Sequence, residues 1–464
     1  MSANKSIEEI EDLKDLVDED LVKEMAGKIK SEMPAKEEKD GEEITNPYHI
    51  AQRLIERATK TLDLQEGVYD ILKKPKRVMK VSIPVRRDNG DVVNYTGIRA
   101  QHTDILGPTK GGVRFHSNVN EDEVIALSMW MSLKTAIVGI PFGGGKGGII
   151  VDPEDLSERE IEELSRGFIR ELEPIMGPEK DIPAPDVNTS PKIMGWMLDE
   201  FDRLRGHNVP GFITGKPLII GGSEGRVEAT GRGVVITIRE AARRLDLDLS
   251  KMTAVIQGFG NVGSITAKYL EESGVKVIGV TDAKGGVYNA NGLNIKELID
   301  YVNEKGTVKG FPDSEHLSND DLFSLECDIL VPAALENQIT GNNADSIKAK
   351  IVAEAANGPT TPQGNEILEK KGVFVIPDIL CNAGGVTVSY FEWVQNAMHY
   401  SWKEKEVMEK LEEKMKEAFK AVYDMRDAKD VKMREAAYLV GVGRLAKGMI
   451  ARGWIKNWEM PIDC

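Results

Sequence analysis

A chain of 464 residues has room for two to three domains, each with its own core. Hydrophobic residues at 41% and charged residues at 29% exclude a wholly disordered or fibrous chain. The formal charge of −16 repels polyanions and gives no footprint for nucleic acid, and half of it is local, because residues 1–45 hold 15 acidic against 7 basic side chains.

No stretch approaches the roughly 18 uninterrupted apolar residues of a membrane helix. The N-terminus MSANKSIEEIEDL lacks a basic-then-apolar signal, so the expectation is a cytoplasmic protein with no membrane partner. Cys327, Cys381 and Cys464 are far apart and form no CxxC, and the six histidines form no ligand pair; neither a disulfide framework nor a metal site is indicated.

Residues 7–33 place Ile7, Ile10, Leu13, Leu16, Val17, Leu21, Met25 and Ile29 at helical spacing among charges, which predicts an amphipathic helix for packing or oligomer contact. The charged run PAKEEKDGEE reads as a linker that closes an N-terminal segment at residue 45. A mixed domain follows over residues 46–215. It opens with a helix (47–64), then VMKVSIPVRR and DVVNYTGIRA joined by Asp88-Asn89-Gly90-Asp91, a hairpin signal. Glycine-rich loops come next, with helices near 121–137 and 157–176 and a buried strand at GGIIVD.

From residue 216 to 429 short apolar runs (PLIIGG, MTAVIQ, VKVIGV, CDILVP, KIVAEAA, GVFVIPD) alternate with helical segments, which implies βαβ crossovers and a parallel, doubly wound sheet. A helical tail begins at Tyr390, and residues 430–464 are expected to pack back on the first domain. The fold class is therefore α/β with two domains, one a mixed-sheet substrate and oligomerisation domain and the other of Rossmann type.

Within the second domain a strand leads into Gly258-x-Gly260-x-x-Gly263, with Asn261 and Val262 inside the turn, then a helix, a strand and Asp282. Gly258 permits the tight turn, Gly260 the approach of a pyrophosphate, Gly263 the contact of helix with strand, and the helix N-terminus attracts the anion. Asp282 suits ribose hydroxyls and favours NAD, while Lys284, two residues on, could pair with a 2′-phosphate, so NAD and NADP both stay open.

Three lysines crowd the first domain: Lys110 in GPTKGGVRF, Lys134 in MSLKTA and Lys146 in PFGGGKGG. Flanking glycines let ligands approach the backbone. Neighbouring ammonium groups in an apolar cleft lower one another's pKa and suit a dicarboxylate. The alternative is the ordinary one, solvated surface charge. A phosphate-loop reading of GGGKGG fails, because Ile140 and Gly147 stand where that loop needs Gly and Ser or Thr. Asp186 in DIPAPDVNT could present a carboxylate for proton transfer, or serve as a turn residue.

Through GPTKGGVRFH, GGGKGGIIVDP, DIPAPDVNT, EATGRGV, QGFGNVG, AEAANGPTTP and CNAGGVTVSYFEW, residues 46–455 resemble the glutamate dehydrogenases of the glutamate/leucine/phenylalanine/valine dehydrogenase superfamily, most of all the compact hexameric enzymes of archaea and bacteria. The resemblance implies that Lys146 polarises the substrate carbonyl and activates water, and that Asp186 shuttles protons to the amino group. It implies that Lys134 binds the α-carboxylate, that Lys110 and Ser389 bind the side-chain carboxylate, and that Gly111, Ala184 and Val386 wall the pocket. Thr230, Asn357 and Asn382 would meet the nicotinamide. The implied reaction interconverts glutamate with 2-oxoglutarate and ammonium using NAD or NADP, in a homohexamer. Two alternatives stand beside it: a dehydrogenase for another amino acid, and a catalytically silent regulatory paralogue.

Overall fold

The computed structural model describes residues 46–462. The amphipathic helix expected in residues 7–33 lies outside the described residues. Asn46 opens α1 (Pro47–Thr61) by accepting the amides of Tyr48 and His49, and α2 (Glu66–Leu72) follows. Strands β1 (Arg77–Arg86) and β2 (Val92–Thr103) form the expected antiparallel hairpin, with Arg86 opposite Val92 and Gly90 at φ +95° in the turn. The chain continues through β3 (Thr109–Phe115), α3 (Glu121–Ile137), β4 (Gly143–Ile150), α4 (Glu158–Leu172), β5 (Asp181–Pro185) and α5 (Pro191–Arg205). These strands make one mixed sheet in the order β1-β2-β4-β3-β5, with β3 parallel to both β4 and β5.

The structure corrects the reading of the two glycine-rich motifs as loops. GGGKGG is the body of β4, the central strand of its sheet, and TKGG opens β3. Their glycines answer to crowding on both faces. A Cβ on Gly144 would stand 2.1 Å from the Ser128 carbonyl oxygen of α3, and one on Gly147 would stand 3.1 Å from the Arg99 side chain.

The second half begins with α6 (Ala229–Arg244) and β6 (Thr253–Gln257), then α7 (Asn261–Glu272), β7 (Lys276–Asp282), β8 (Gly285–Tyr288), α8 (Ile295–Lys305), β9 (Glu315–Leu317), α9 (Asn319–Leu322), β10 (Ile329–Pro332), β11 (Ile351–Ala353), α10 (Pro362–Lys370) and β12 (Phe374–Ile376). Its seven-stranded sheet runs β12-β11-β10-β6-β7-β8-β9. The first five strands are parallel and the β8 and β9 edge is antiparallel. The order reverses at β6, which places the turn after β6 at the topological switch point where α/β sheets bind ligands.

One apolar run is not a strand. PLIIGG forms a single 3-10 turn, Leu218–Ile220, closed by Gly221 at φ +97°, and Ile219 is 93% exposed. These three apolar residues are used in the turn itself, where the Ile220 and Gly222 amides donate to the Pro217 carbonyl and the Gly221 amide to that of Leu218.

The chain ends in α11 (Asp378–Cys381), α12 (Gly384–Met398), α13 (Glu404–Lys429) and α14 (Met433–Ala451). Helix α14 packs on α3, as expected of the tail: Arg444 donates to the Ala136 and Ile137 carbonyls, and Gly441 lies against Leu133. Among the described residues no helix is long and apolar enough to cross a membrane.

Candidate active site

Parallel register decides which side chains share a face. Lys110 lies beside Gly144 and Ile182, and Arg114 beside Gly148. With a two-residue period, Lys110, Gly112 and Arg114 of β3 face the same way as Lys146 of β4 and as Ala184 of β5. Asp186 follows β5 immediately, and its Oδ2 takes both the Lys146 ammonium at 2.7 Å and Arg114 Nε at 3.0 Å. Gly112 is required there, because its Cβ would fall 2.7 Å from that of Asp186. Gly111 faces the other way, with its Cβ position 1.5 Å from the Gly145 carbonyl oxygen; it sets the approach of two strands rather than a surface beside Lys110.

Beneath the sheet lies an ion pair that the sequence did not reveal. Arg99 and Asp181 are both 0% exposed and meet through Nε–Oδ2 at 2.8 Å and Nη2–Oδ1 at 2.5 Å. Arg99 Nη1 also donates to the Gly111 and Gly112 carbonyls, so the pair anchors the strand that carries Lys110.

Burial pushes the Lys146 ammonium below its usual pKa, with Arg114 adding to the depression and Asp186 opposing it. Asp186 is subject to the reverse balance: burial favours its neutral acid, yet Lys146 and Arg114 hold the carboxyl below the ordinary aspartate value. Lys110 is 1% exposed, and burial followed by the charges of Arg226 and Arg99 lowers it well below the usual lysine value. Its ammonium has the Pro183 carbonyl at 3.2 Å. Burial also lowers Lys134. Three lysines whose ammonium forms are poorly solvated thus sit in one region, where a ligand carboxylate would replace lost hydration.

Lys134 reaches out from α3 to the second half of the chain, with Asn382 Oδ1 at 2.7 Å and Asn357 Oδ1 at 3.2 Å. Asn382 in turn donates to Asn357 at 3.0 Å. Ser389 is buried on α12, and its hydroxyl accepts from Arg226 Nε at 3.1 Å. Arg226 was missed by the sequence reading; it lies before α6 in a loop without periodicity, and only its nearness to EATGRG could have flagged it. Val386 is half-buried three residues before Ser389, and Thr230 Oγ1 lies 2.6 Å from the Cβ position of Gly385 on the same helix.

At the β6–α7 turn, Gly258 has φ +90° and abuts Ala333, and a Cβ on Gly263 would stand 1.8 Å from the Gly258 carbonyl oxygen. Gly260, the N-cap of α7, differs: a Cβ there would meet nothing within 4 Å. Its cap position has no side-chain partner, and Asn261 turns aside to the Val227 carbonyl, while Val262 packs against the core. Open space in front of unencumbered helix amides fits a pyrophosphate. Asp282 ends β7 and accepts from the Lys284 amide at 2.7 Å, Thr307 Oγ1 at 2.7 Å and the Val308 amide at 2.8 Å. The Lys284 ammonium points elsewhere, to the Gly306 carbonyl at 3.3 Å.

The chain is similar to known proteins in both sequence and fold. Residues 75–203 match the Glu/Leu/Phe/Val dehydrogenase dimerisation domain, and residues 221–453 match the Glutamate/Leucine/Phenylalanine/Valine dehydrogenase domain. An NAD-specific glutamate dehydrogenase of Staphylococcus aureus is 53% identical over 412 residues, which span 89% of this chain and 99% of that protein. The crystal structure of glutamate dehydrogenase from Peptoniphilus asaccharolyticus superposes with a TM-score of 0.80 at 47% identity, covering 88% of this chain and 100% of that one. The hetero-hexameric glutamate dehydrogenase of Thermus thermophilus, in a leucine-bound form, gives 0.84 at 35% identity, covering 90% and 99%. On this continuous match the chain belongs to the Glu/Leu/Phe/Val dehydrogenase family.

Proposed function

We propose that this protein is an NAD(P)-dependent glutamate dehydrogenase, converting L-glutamate, NAD(P)+ and water to 2-oxoglutarate, ammonium, NAD(P)H and a proton, and running the reverse amination. The observation that carries the reading is the contact of buried Lys146 with half-buried Asp186 at 2.7 Å, on the sheet face that Lys110 shares and within the electrostatic reach of Lys134. A lysine held below its usual pKa accepts a proton from water more readily than an ordinary one, which frees that water to attack the imine carbon. Asp186, held ionised, carries protons to and from the substrate nitrogen. When bound, the nicotinamide accepts the hydride from the glutamate Cα.

Lys110, Arg226 and the Ser389 hydroxyl gather two cations and a donor in one place, which suits a side-chain carboxylate and penalises an apolar side chain. Lys134 is assigned the α-carboxylate. Thr230, Asn357 and Asn382 are assigned to the nicotinamide, the Gly258–Gly263 turn to the pyrophosphate and Asp282 to the ribose. Because the Asp282 carboxylate is already oriented by three donors while the Lys284 ammonium is turned away, NAD is the proposed preference.

The proposed division is a substrate-binding and oligomerisation domain over 46–215, a dinucleotide domain over 216–429 and returning helices over 430–464, in a cytoplasmic homohexamer. The test is oxidation of NADH and NADPH with 2-oxoglutarate plus ammonium, against pyruvate and 2-oxoisocaproate. Rates with 2-oxoglutarate should dominate. Preference for an apolar keto acid would overturn the substrate assignment, and inactivity with all three would favour a silent paralogue.

A further inference from the structure

Lys134 and the pair Asn357 and Asn382 come from different halves of the chain, and something must set the gap between them. Helix α14 touches both sides. Its nineteen residues span roughly 28 Å at 1.5 Å per residue. Toward its C-terminal end, Arg444 Nη1 holds the last carbonyls of α3 at 2.8 Å (Ala136) and 2.6 Å (Ile137), directly after Lys134.

At its N-terminal end, Arg434 Nη2 stands 2.5 Å from Glu354 Oε1, Nη1 stands 3.7 Å from Asp378 Oδ1, and Nε donates to Asn365 Oδ1 at 3.0 Å. Glu354 Oε2 accepts the Asp378 amide at 2.9 Å, and Asp378 Oδ2 accepts the Gly358 amide at 2.9 Å. Gly358 adjoins Asn357, and Asp378 opens α11, whose C-cap is Asn382. One guanidinium therefore fixes both asparagine-bearing segments.

Glu354 is 0% exposed. A buried ion pair adds little net stability over an apolar replacement of the same shape, so one retained at such a junction is better explained by the geometry it imposes. Burial pushes Glu354 toward its neutral form while Arg434 opposes this, and Glu354 and Asp378 together hold Arg434 charged.

We propose that Arg434 is a positioning residue: through Glu354 and Asp378 it holds Asn357 and Asn382 at a fixed distance from Lys134, with α14 as the strut that Arg444 ties to α3. The inference rests on the glutamate dehydrogenase reading and goes beyond it, because the Arg434 guanidinium meets Glu354, Asp378 and Asn365, none of which is assigned to substrate or coenzyme. Misplacing these segments slows hydride transfer while leaving the pyrophosphate turn and Asp282 untouched.

The test compares the full chain with Arg434→Lys, Arg434→Met and the double variant Arg434→Met/Glu354→Gln, in which the buried carboxylate is neutralised with its partner so that the protein folds. For the double variant, kcat with glutamate should fall ~10-fold or more and the isotope effect with glutamate deuterated at Cα should rise. The NADH Kd, read by fluorescence, should change by less than about threefold. Arg434→Lys should recover part of the rate.

A merely structural role would lower the active fraction without moving the isotope effect, and that outcome, or an unchanged kcat, overturns the proposal. If the unsubstituted chain does not oxidise glutamate, the activity reading fails instead. Hydrogen exchange of amides 355–358 and 379–383 then decides the strut: faster exchange in the double variant supports it, and equal exchange refutes it.

Discussion

Replacing Gly260 by alanine separates folding from coenzyme binding. The added methyl meets no protein atom within 4 Å, and Gly260 has φ −77°, an ordinary value for alanine, so the stability of the ligand-free protein should stay within about 0.5 kcal/mol of the parent. The same methyl enters the space in front of the α7 amides, where a pyrophosphate must approach. A Kd weakened ~100-fold corresponds to ~2.7 kcal/mol of lost binding. At an NADH concentration ~100 times the parent Kd, the coenzyme stabilises the parent by ~2.7 kcal/mol, but the variant by only RT ln 2, ~0.4 kcal/mol. Gly263→Ala is the control. Its Cβ would stand 1.8 Å from the Gly258 carbonyl oxygen, so overpacking of up to ~3 kcal/mol outweighs the ~1 kcal/mol gain in helix propensity. Denaturant unfolding with and without NADH reads both effects. If Gly260→Ala destabilised the ligand-free protein as Gly263→Ala does, or kept parental NADH affinity, the assignment of this turn would be refuted.

Three further outcomes follow from the buried charges. Because burial, then Arg226 and Arg99, hold Lys110 well below 10.5, the unfolded chain binds more protons than the folded one between that depressed pKa and about 10.5. Stability should therefore rise with pH in that window, by up to ~1.4 kcal/mol per unit for this one group, and urea midpoints followed as the pH is raised toward about 10.5 should show a shallower rise in Lys110→Met. Lys110→Leu should lower kcat/KM for glutamate ~100-fold or more while NADH binding persists; unchanged glutamate kinetics would remove Lys110 from the pocket. Arg99→Met strands Asp181 in the core and should cost ~3–5 kcal/mol, with partial recovery in Arg99→Met/Asp181→Asn by denaturant midpoint.

The β6–α7 glycine turn was legible because its signal is local: a strand, three glycines at fixed spacing, a helix and an acid at the next strand end all lie within 30 residues. The hairpin was legible for the same reason. The β3 and β4 glycines were misread because glycine carries no apolar periodicity, and the cause of their presence, α3 on one face and Arg99 on the other, is tertiary. Lys146 and Asp186 are 40 residues apart in sequence, and residue type and family resemblance pointed to them. What joins them is the parallel register, which sequence spacing does not encode. Arg226 and the Arg99–Asp181 pair escaped because their partners lie 163 and 82 residues away. PLIIGG shows the converse, a strand-like composition used in a 3-10 turn.

The account turns on Lys146, whose ammonium lies on Asp186 in the middle of the first sheet. The most direct measurement is the single-turnover rate of Lys146→Ala with bound NADH, 2-oxoglutarate and ammonium. A fall of ~1,000-fold or more with NADH affinity retained is the predicted result; a rate near that of the unsubstituted enzyme would contradict the role assigned to this lysine.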